Sequence, residues 1–162
     1  MKLQLDKIEF RNLFSYGNKW QEFCPNGISF ITGYNKNNDR RNFTGKSNLL
    51  KMFPYALFGK VEGLSKTRIV NWRNRKSAEC LIHFTKNNIP YCIHRGIKPD
   101  VLKVYENGNE MPIPASKKDF QKYIENEILE MDYNSFMNIV YADTNNSNSI
   151  LKMSKPMKRN FL

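Results

Sequence analysis

The chain has 162 residues, a length that suits one domain around one hydrophobic core. Its 26 Lys and Arg against 15 Asp and Glu leave +11, spread along the chain rather than gathered in a tail, which favours polyanionic partners. The apolar runs, such as Gly27-Ile28-Ser29-Phe30-Ile31-Thr32, fall far short of the roughly 20 residues that span a bilayer. The opening Met1-Lys2-Leu3-Gln4-Leu5-Asp6 lacks the apolar segment of an export signal, and Cys24, Cys80 and Cys92 form no disulfide framework, so a reducing cytoplasm is the expected compartment.

In chain order, Leu3, Leu5, Ile8 and Phe10 open a strand, and Ile28-Ser29-Phe30-Ile31-Thr32, bounded by Asn26-Gly27 and Gly33, predicts a second. A polar stretch from Tyr34 to Thr44 leads into Gly45-Lys46-Ser47. The apolar spacing of Leu49, Leu50, Phe53, Ala56 and Leu57 then predicts a helix stopped by glycine near Phe58-Gly59. Pro54 sits inside that helix, where it removes the hydrogen bond to the Leu50 carbonyl, so the helix is expected to kink and continue.

The period then changes. Ala78, Cys80, Ile82 and Phe84 alternate with polar residues, Tyr91 to Arg95 and Val101 to Tyr105 follow, and Asn107-Gly108 predicts a tight hairpin, together an antiparallel sheet over about 77–113. Ser116 followed by Asp119 predicts a helix N-terminus, and Phe120, Ile124 and Ile128 mark one face of a helix to about Glu130. A short helix and strand are expected over Tyr133 to Ala142, so that the helical region covers about 117–139. The basic tail from Met153 has the character of a helix start, a possible coiled coil.

Strand, glycine, polar loop, Gly-Lys-Ser and helix is the layout of a phosphate-binding loop: backbone N–H groups and a helix N-terminus face the phosphates, Lys46 reaches the β- and γ-phosphates, and the Ser47 hydroxyl is a Mg²⁺ ligand. The usual spacing G-x-x-x-x-G-K-[ST] would need glycine where Arg40 stands. It is recovered if Gly33-Tyr34-Asn35-Lys36 is joined to Thr44-Gly45-Lys46-Ser47 and residues 37–43 are an insertion.

These residues resemble the N-terminal segment of the SbcC family of ATPases, relatives of the SMC proteins, and especially the T4-type phage recombination-endonuclease subunits. Ile8-Glu9-Phe10-Arg11-Asn12-Leu13-Phe14-Ser15 is similar to the opening strand of that family. Ile31-Thr32-Gly33-Tyr34-Asn35 with Gly45-Lys46-Ser47-Asn48 is similar to its Walker A, Tyr55-Ala56-Leu57-Phe58-Gly59-Lys60 to the end of the following helix, and Phe136 to Tyr141 to the lead-in of its Q-loop. The resemblance implies an α/β P-loop NTPase head of ABC/SMC type, with a mixed sheet plus an antiparallel meander, present as its N-terminal half over residues 1–162. It implies ATP and Mg²⁺ as cofactors, with Arg11, Asn12, Gly33, Asn35, Gly45, Lys46, Ser47 and Asn48 around the nucleotide. The family's Q-loop glutamine falls on Thr144, a departure that Asn145 or Asn146 is placed to offset as a Mg²⁺ contact. The signature motif and Walker B belong to a C-terminal half beyond a coiled coil. Implied partners are therefore that half, a second head, an SbcD-type nuclease subunit and DNA bound without sequence preference.

Two other readings compete. A self-contained P-loop kinase or ATPase would use Asp143 as Walker B, yet Thr144 stands where a catalytic Glu would follow. A truncated head acting as an interaction or inhibitor module would need no chemistry at all. Trp72-Arg73-Asn74-Arg75 combines stacking and charge in the manner of a nucleic-acid contact, so Trp72, Arg73 and Arg75 are candidate nucleic-acid residues. Cys80, His83, Cys92 and His94 are close in sequence but do not share one strand face, which argues against a zinc cluster.

Overall fold

A computed structural model describes residues 2–35, 44–112 and 116–141 of the chain. Alternation of apolar with mostly polar side chains makes Ala78–Lys86 (β3) an inner strand of a six-stranded sheet, its even-numbered residues Ala78, Cys80, Ile82 and Phe84 all buried. With Leu3–Arg11 (β1), Gln21–Phe23 (β2), Ile89–Ile97 (β4), Val101–Glu106 (β5) and Asn109–Glu110 (β6), the order is β2-β1-β3-β4-β5-β6. Every pairing among the described residues is antiparallel.

The odd-to-even phase change in β1, from Leu3 and Leu5 to Ile8 and Phe10, is absorbed by a register shift between Leu5 and Lys7. One extra residue there returns the apolar side chains to the core face. Two-residue turns close the β3–β4 and β5–β6 hairpins, with Asn87 and Asn88 at φ 48° and 69° and Asn107 and Gly108 at 50° and 81°. Positive φ at both central positions matches the strand twist, which is why Asn and Gly occupy them.

The helix Lys46–Phe58 (α1) lies against β3 and β4 and buries Leu49, Met52, Tyr55, Ala56, Leu57 and Phe58. It runs unbroken through the buried Pro54 and ends at Gly59, φ 72°, whose N–H donates to the Tyr55 carbonyl. A one-turn helix, Lys66–Ile69 (α2), follows. Beyond the sheet, Ser116 caps Lys117–Tyr123 (α3) by accepting from the Asp119 N–H at 3.1 Å. The helix then widens into a π-helical turn over Ile124–Ile128, with Phe120, Ile124 and Ile128 buried. A last helical segment covers Tyr133–Ser135 (α4) and a π turn over Phe136–Val140.

Two buried cations fasten helices to the sheet. Lys86 at the end of β3 donates to the Glu127 carbonyl at 2.8 Å and pairs with Glu130 at 2.6 Å. Arg95 in β4 donates to the Ala56 and Leu57 carbonyls at 3.0 and 3.3 Å. Both meet the carbonyl-rich, partially negative ends of helices, where a cation is stabilising.

Ile28–Thr32, expected as a strand, is not one. The segment forms no strand or helix, and Ile28 and Phe30 are each 90 % exposed. A strand exists only through hydrogen bonds to a neighbour, and no described strand lies beside this one. The mixed sheet that the resemblance implies is thus represented among the described residues by its antiparallel part, while the apolar segment keeps its strand-like sequence with no described strand beside it.

Candidate phosphate-binding site

Gly45 opens α1 in the left-handed region, φ 90°, offering no side-chain cap, and the first turn carries no acidic residue. The partial positive charge of the helix N-terminus is therefore joined by Lys46 and opposed by no carboxylate in that turn. The exposed Ser47 and the half-buried Asn48 follow on the first turn. Gly33 lies directly against Thr44: a Cβ at Gly33 would overlap the Thr44 hydroxyl. The residues on either side of 36–43 thus meet at this point. Asn35 and Lys46 both make further contacts within the structure.

The turn that follows β1 braces this loop from behind. The Tyr16 hydroxyl donates to the Gly45 carbonyl at 3.3 Å, the Asn48 side-chain amide donates to Ser15 Oγ at 3.0 Å, and a Cβ on Gly45 would come within 2.9 Å of Ser15 Oγ. Glycine at position 45 is therefore required twice, by its φ and by this close approach.

Arg11 and Asn12 are committed to protein contacts. Arg11 pairs with Glu79 at 2.6 Å and stacks over Trp20 at 4.9 Å on the sheet face turned away from α1. Asn12, 1 % exposed at φ 52°, donates to Asn18 Oδ1 and the Ser77 carbonyl and accepts from the Asn74 amide. It belongs to a knot with Asn71, whose side chain donates to the Phe14 carbonyl at 3.0 Å and accepts from the Arg73 and Asn74 N–H groups. This asparagine knot ties the 71–77 loop to the end of β1. The sequence signal for it, Asn at positions 12, 71 and 74, is visible only once the two segments are known to be neighbours.

The knot presents Trp72 on a rigid base, 68 % exposed, with Arg73 over its ring at 5.0 Å and Arg75 Nε donating to its carbonyl. Trp72 borders two clefts. One, about 400 Å³, is bordered by Lys66, Val70, Arg75 and Lys98; the other, about 510 Å³, is bordered by Ser15, Gly17, Asn71 and Arg73 and so reaches the residues bracing α1.

The outer sheet face is polar. Burial would raise the Glu79 carboxyl, but hydrogen bonds from Arg11 and His94 outweigh it and hold the group below the usual carboxylate value; Lys7 and His83 do the same for Glu9. His83 and Cys92 face each other there at 3.8 Å, while Cys80 points into the core, so the four candidate zinc ligands do not converge. Thr144, Asp143, Asn145 and Asn146 lie outside the described residues.

No protein-family model matches the chain. It is similar to exonuclease subunit 2 of Enterobacteria phage T4, 30 % identical over 159 residues that cover 96 % of this chain and 27 % of that protein. The same subunit of Escherichia phage RB69 is 28 % identical over the same share. The chain therefore spans about a quarter of the length of these curated relatives. Among solved structures, a chain from work on ATP-driven dimerization and DNA-stimulated activation of SMC ATPases superposes with a TM-score of 0.63 at 17 % identity, covering 97 % of this chain and 96 % of that one. The Smc head domain of Pyrococcus furiosus, bound to the C-terminal domain of ScpA, gives 0.64 at 18 % identity, covering 99 % of this chain and 41 % of that one. The chain is a relative of the phage exonuclease subunits and has the fold of the N-terminal half of an SMC-type ATPase head.

Proposed function

We propose that this chain supplies the phosphate-binding half of an SbcC-type ATPase head, taking Mg-ATP at Gly33, Asn35, Gly45, Lys46, Ser47 and Asn48. One observation carries the reading: Gly33 and Thr44 abut in front of a helix N-terminus that begins with a left-handed glycine, has no acidic residue in its first turn and places Lys46 first. Such a cradle suits the oxygens of a polyphosphate. Lys46 would pair with the β- and γ-phosphates, and Ser47 would hold Mg²⁺, which neutralises phosphate charge when bound. Asn12 would act indirectly, its N–H donating to the Gly17 carbonyl and so holding the turn that braces Gly45, while Arg11 pairs with Glu79 instead.

The catalytic carboxylate and signature residues would come from a C-terminal half. The bare apolar stretch Ile28–Thr32 supports this, because Ile28 and Phe30 at 90 % exposure read as a strand awaiting a neighbour. In this reading two heads close on ATP, a nuclease subunit is the functional partner, and the site of action is a DNA end in the host cytoplasm. DNA contact would use phosphate-directed charge and Trp72, Arg73 and Arg75, and would weaken steeply with salt. Among the described residues no helix is long and apolar enough to cross a membrane.

The test is nucleotide binding by calorimetry, alone and with the C-terminal half of a relative. The chain alone should turn over ATP far below about 1 s⁻¹, the low end of enzyme rates. The mixture should gain activity, and Lys46→Ala should abolish binding. Unchanged affinity in that variant would refute the phosphate-loop assignment. The same exposed apolar segment favours a second reading, a non-catalytic module that occupies a partner's head; binding of the C-terminal half without any ATPase gain would establish it.

A further inference from the structure

The nucleotide reading uses the N-terminal end of α1, whereas the opposite end carries a chemically separate cleft. It measures about 260 Å³ and is lined by Tyr55, Gly59, Arg95, Lys66, Lys117 and Lys118, with Asp100 beside them. At 1.5 Å per residue, a helix of 13 residues puts the two ends roughly 20 Å apart.

Two polar groups in this cleft are buried and incompletely satisfied. Arg95 is 8 % exposed and has no carboxylate at ion-pair distance among the described residues. Its Nε and Nη2 are spent on the Ala56 and Leu57 carbonyls and on Gln121 Oε1 at 2.6 Å. Nη1 makes no hydrogen bond among the described residues and faces Gly59, where a Cβ would stand 2.7 Å from it. The Tyr55 hydroxyl, in a residue 1 % exposed, likewise has no partner among the described residues. Burial pushes the Tyr55 phenol up from its ordinary value, so it keeps its donor hydrogen at neutral pH, and pushes the Arg95 guanidinium down.

The rim is cationic. Lys117 is taken up by Asp100 at 2.8 Å, which leaves Arg95, Lys66 and Lys118 without an ion pair among the described residues. A buried guanidinium is costly without a counter-charge, and buried donors are costly without an acceptor. The negative end of α1 would oppose an anion, but its last carbonyls are already answered by Arg95 itself.

We propose that this cleft binds a phosphate group, with Arg95 Nη1 and the buried Tyr55 hydroxyl as donors and Lys66 and Lys118 as the rim. Three positive charges and donors arriving from the sheet, α1 and α3 suit a tetrahedral phosphate anion with several acceptor oxygens better than a planar carboxylate. A phosphomonoester and the phosphodiester of a nucleic-acid strand share this chemistry.

The experiment is an NMR titration of the ¹⁵N-labelled chain with inorganic phosphate at constant ionic strength, repeated with acetate and with thymidylyl-thymidine, which carries a phosphodiester only. Phosphate should produce saturable shifts at the Gly59 and Gly96 amides and the Arg95 side chain, and these should persist in Lys46→Ala. The exposed double variant Lys66→Glu/Lys118→Glu, checked for native fold by circular dichroism, should weaken binding at least tenfold while leaving shifts at Gly45 to Asn48 unchanged. Saturation by the dinucleotide assigns a nucleic-acid strand, and saturation by phosphate alone assigns a monoester. Non-saturating shifts, equal shifts with acetate, or shifts that vanish in Lys46→Ala would each overturn the site. The Lys46 and Lys66/Lys118 variants thus separate its failure from failure of the nucleotide site.

Discussion

Replacing Asn71 with alanine tests whether the asparagine knot, rather than the sheet, holds the Trp72 loop. Asn71 is 4 % exposed and its side chain makes three hydrogen bonds, to the Phe14 carbonyl and from the Arg73 and Asn74 N–H groups, at 3.0, 3.0 and 3.1 Å. At about 1 kcal/mol net for each bond, truncation should cost about 3 kcal/mol, less where water can replace the lost partner. With a urea slope of about 2 kcal/mol/M, the unfolding midpoint should fall by about 1–1.5 M. The assay is urea denaturation followed by circular dichroism, with indole fluorescence as a local probe of the loop. A midpoint lowered by less than about 0.3 M would refute the argument, because the buried amide would then hold nothing that solvent could not.

Glu79 and Glu9 are held below the usual carboxylate value in the folded chain by their Arg, Lys and His neighbours. Their contribution to stability is therefore present above the unfolded value near 4.5 and is lost as pH falls through the lower folded value. Thermal melts from pH 6 down to pH 3 should show a decline that is shallower in Glu79→Gln. Pro54→Ala is expected to lower the melting temperature, since Pro54 is buried and the core is shaped around it; a clear rise would show that the proline is mere helix strain. Ile28→Ser together with Phe30→Ser should reduce self-association of the isolated chain in sedimentation and abolish binding of a C-terminal half; full retention of that binding would contradict the open-strand reading.

Local pattern by itself determined much of this protein. The alternation of Ala78, Cys80, Ile82 and Phe84, the Asn107-Gly108 turn, the Ser116 cap and the glycine stop at Gly59 are all decided within a few residues, and each appears where the spacing places it. Gly45-Lys46-Ser47 at a helix start was legible for the same reason. Tertiary structure decided what depends on a distant partner. Ile28–Thr32 has a strand's sequence, but its hydrogen bonds need a neighbour that the described chain does not offer. Arg95 occupies a core-facing position, in phase with Tyr91 and Ile93, yet only the packing of α1 and α3 on β4 shows why a charge is tolerated there. Asn12 and Asn71 lie 59 positions apart, and their shared knot exists because the end of β1 and the loop before β3 are brought together by the sheet. Backbone propensities act within a turn or two of helix, whereas burial and hydrogen-bond completion act between segments, and only the folded chain specifies which segments meet.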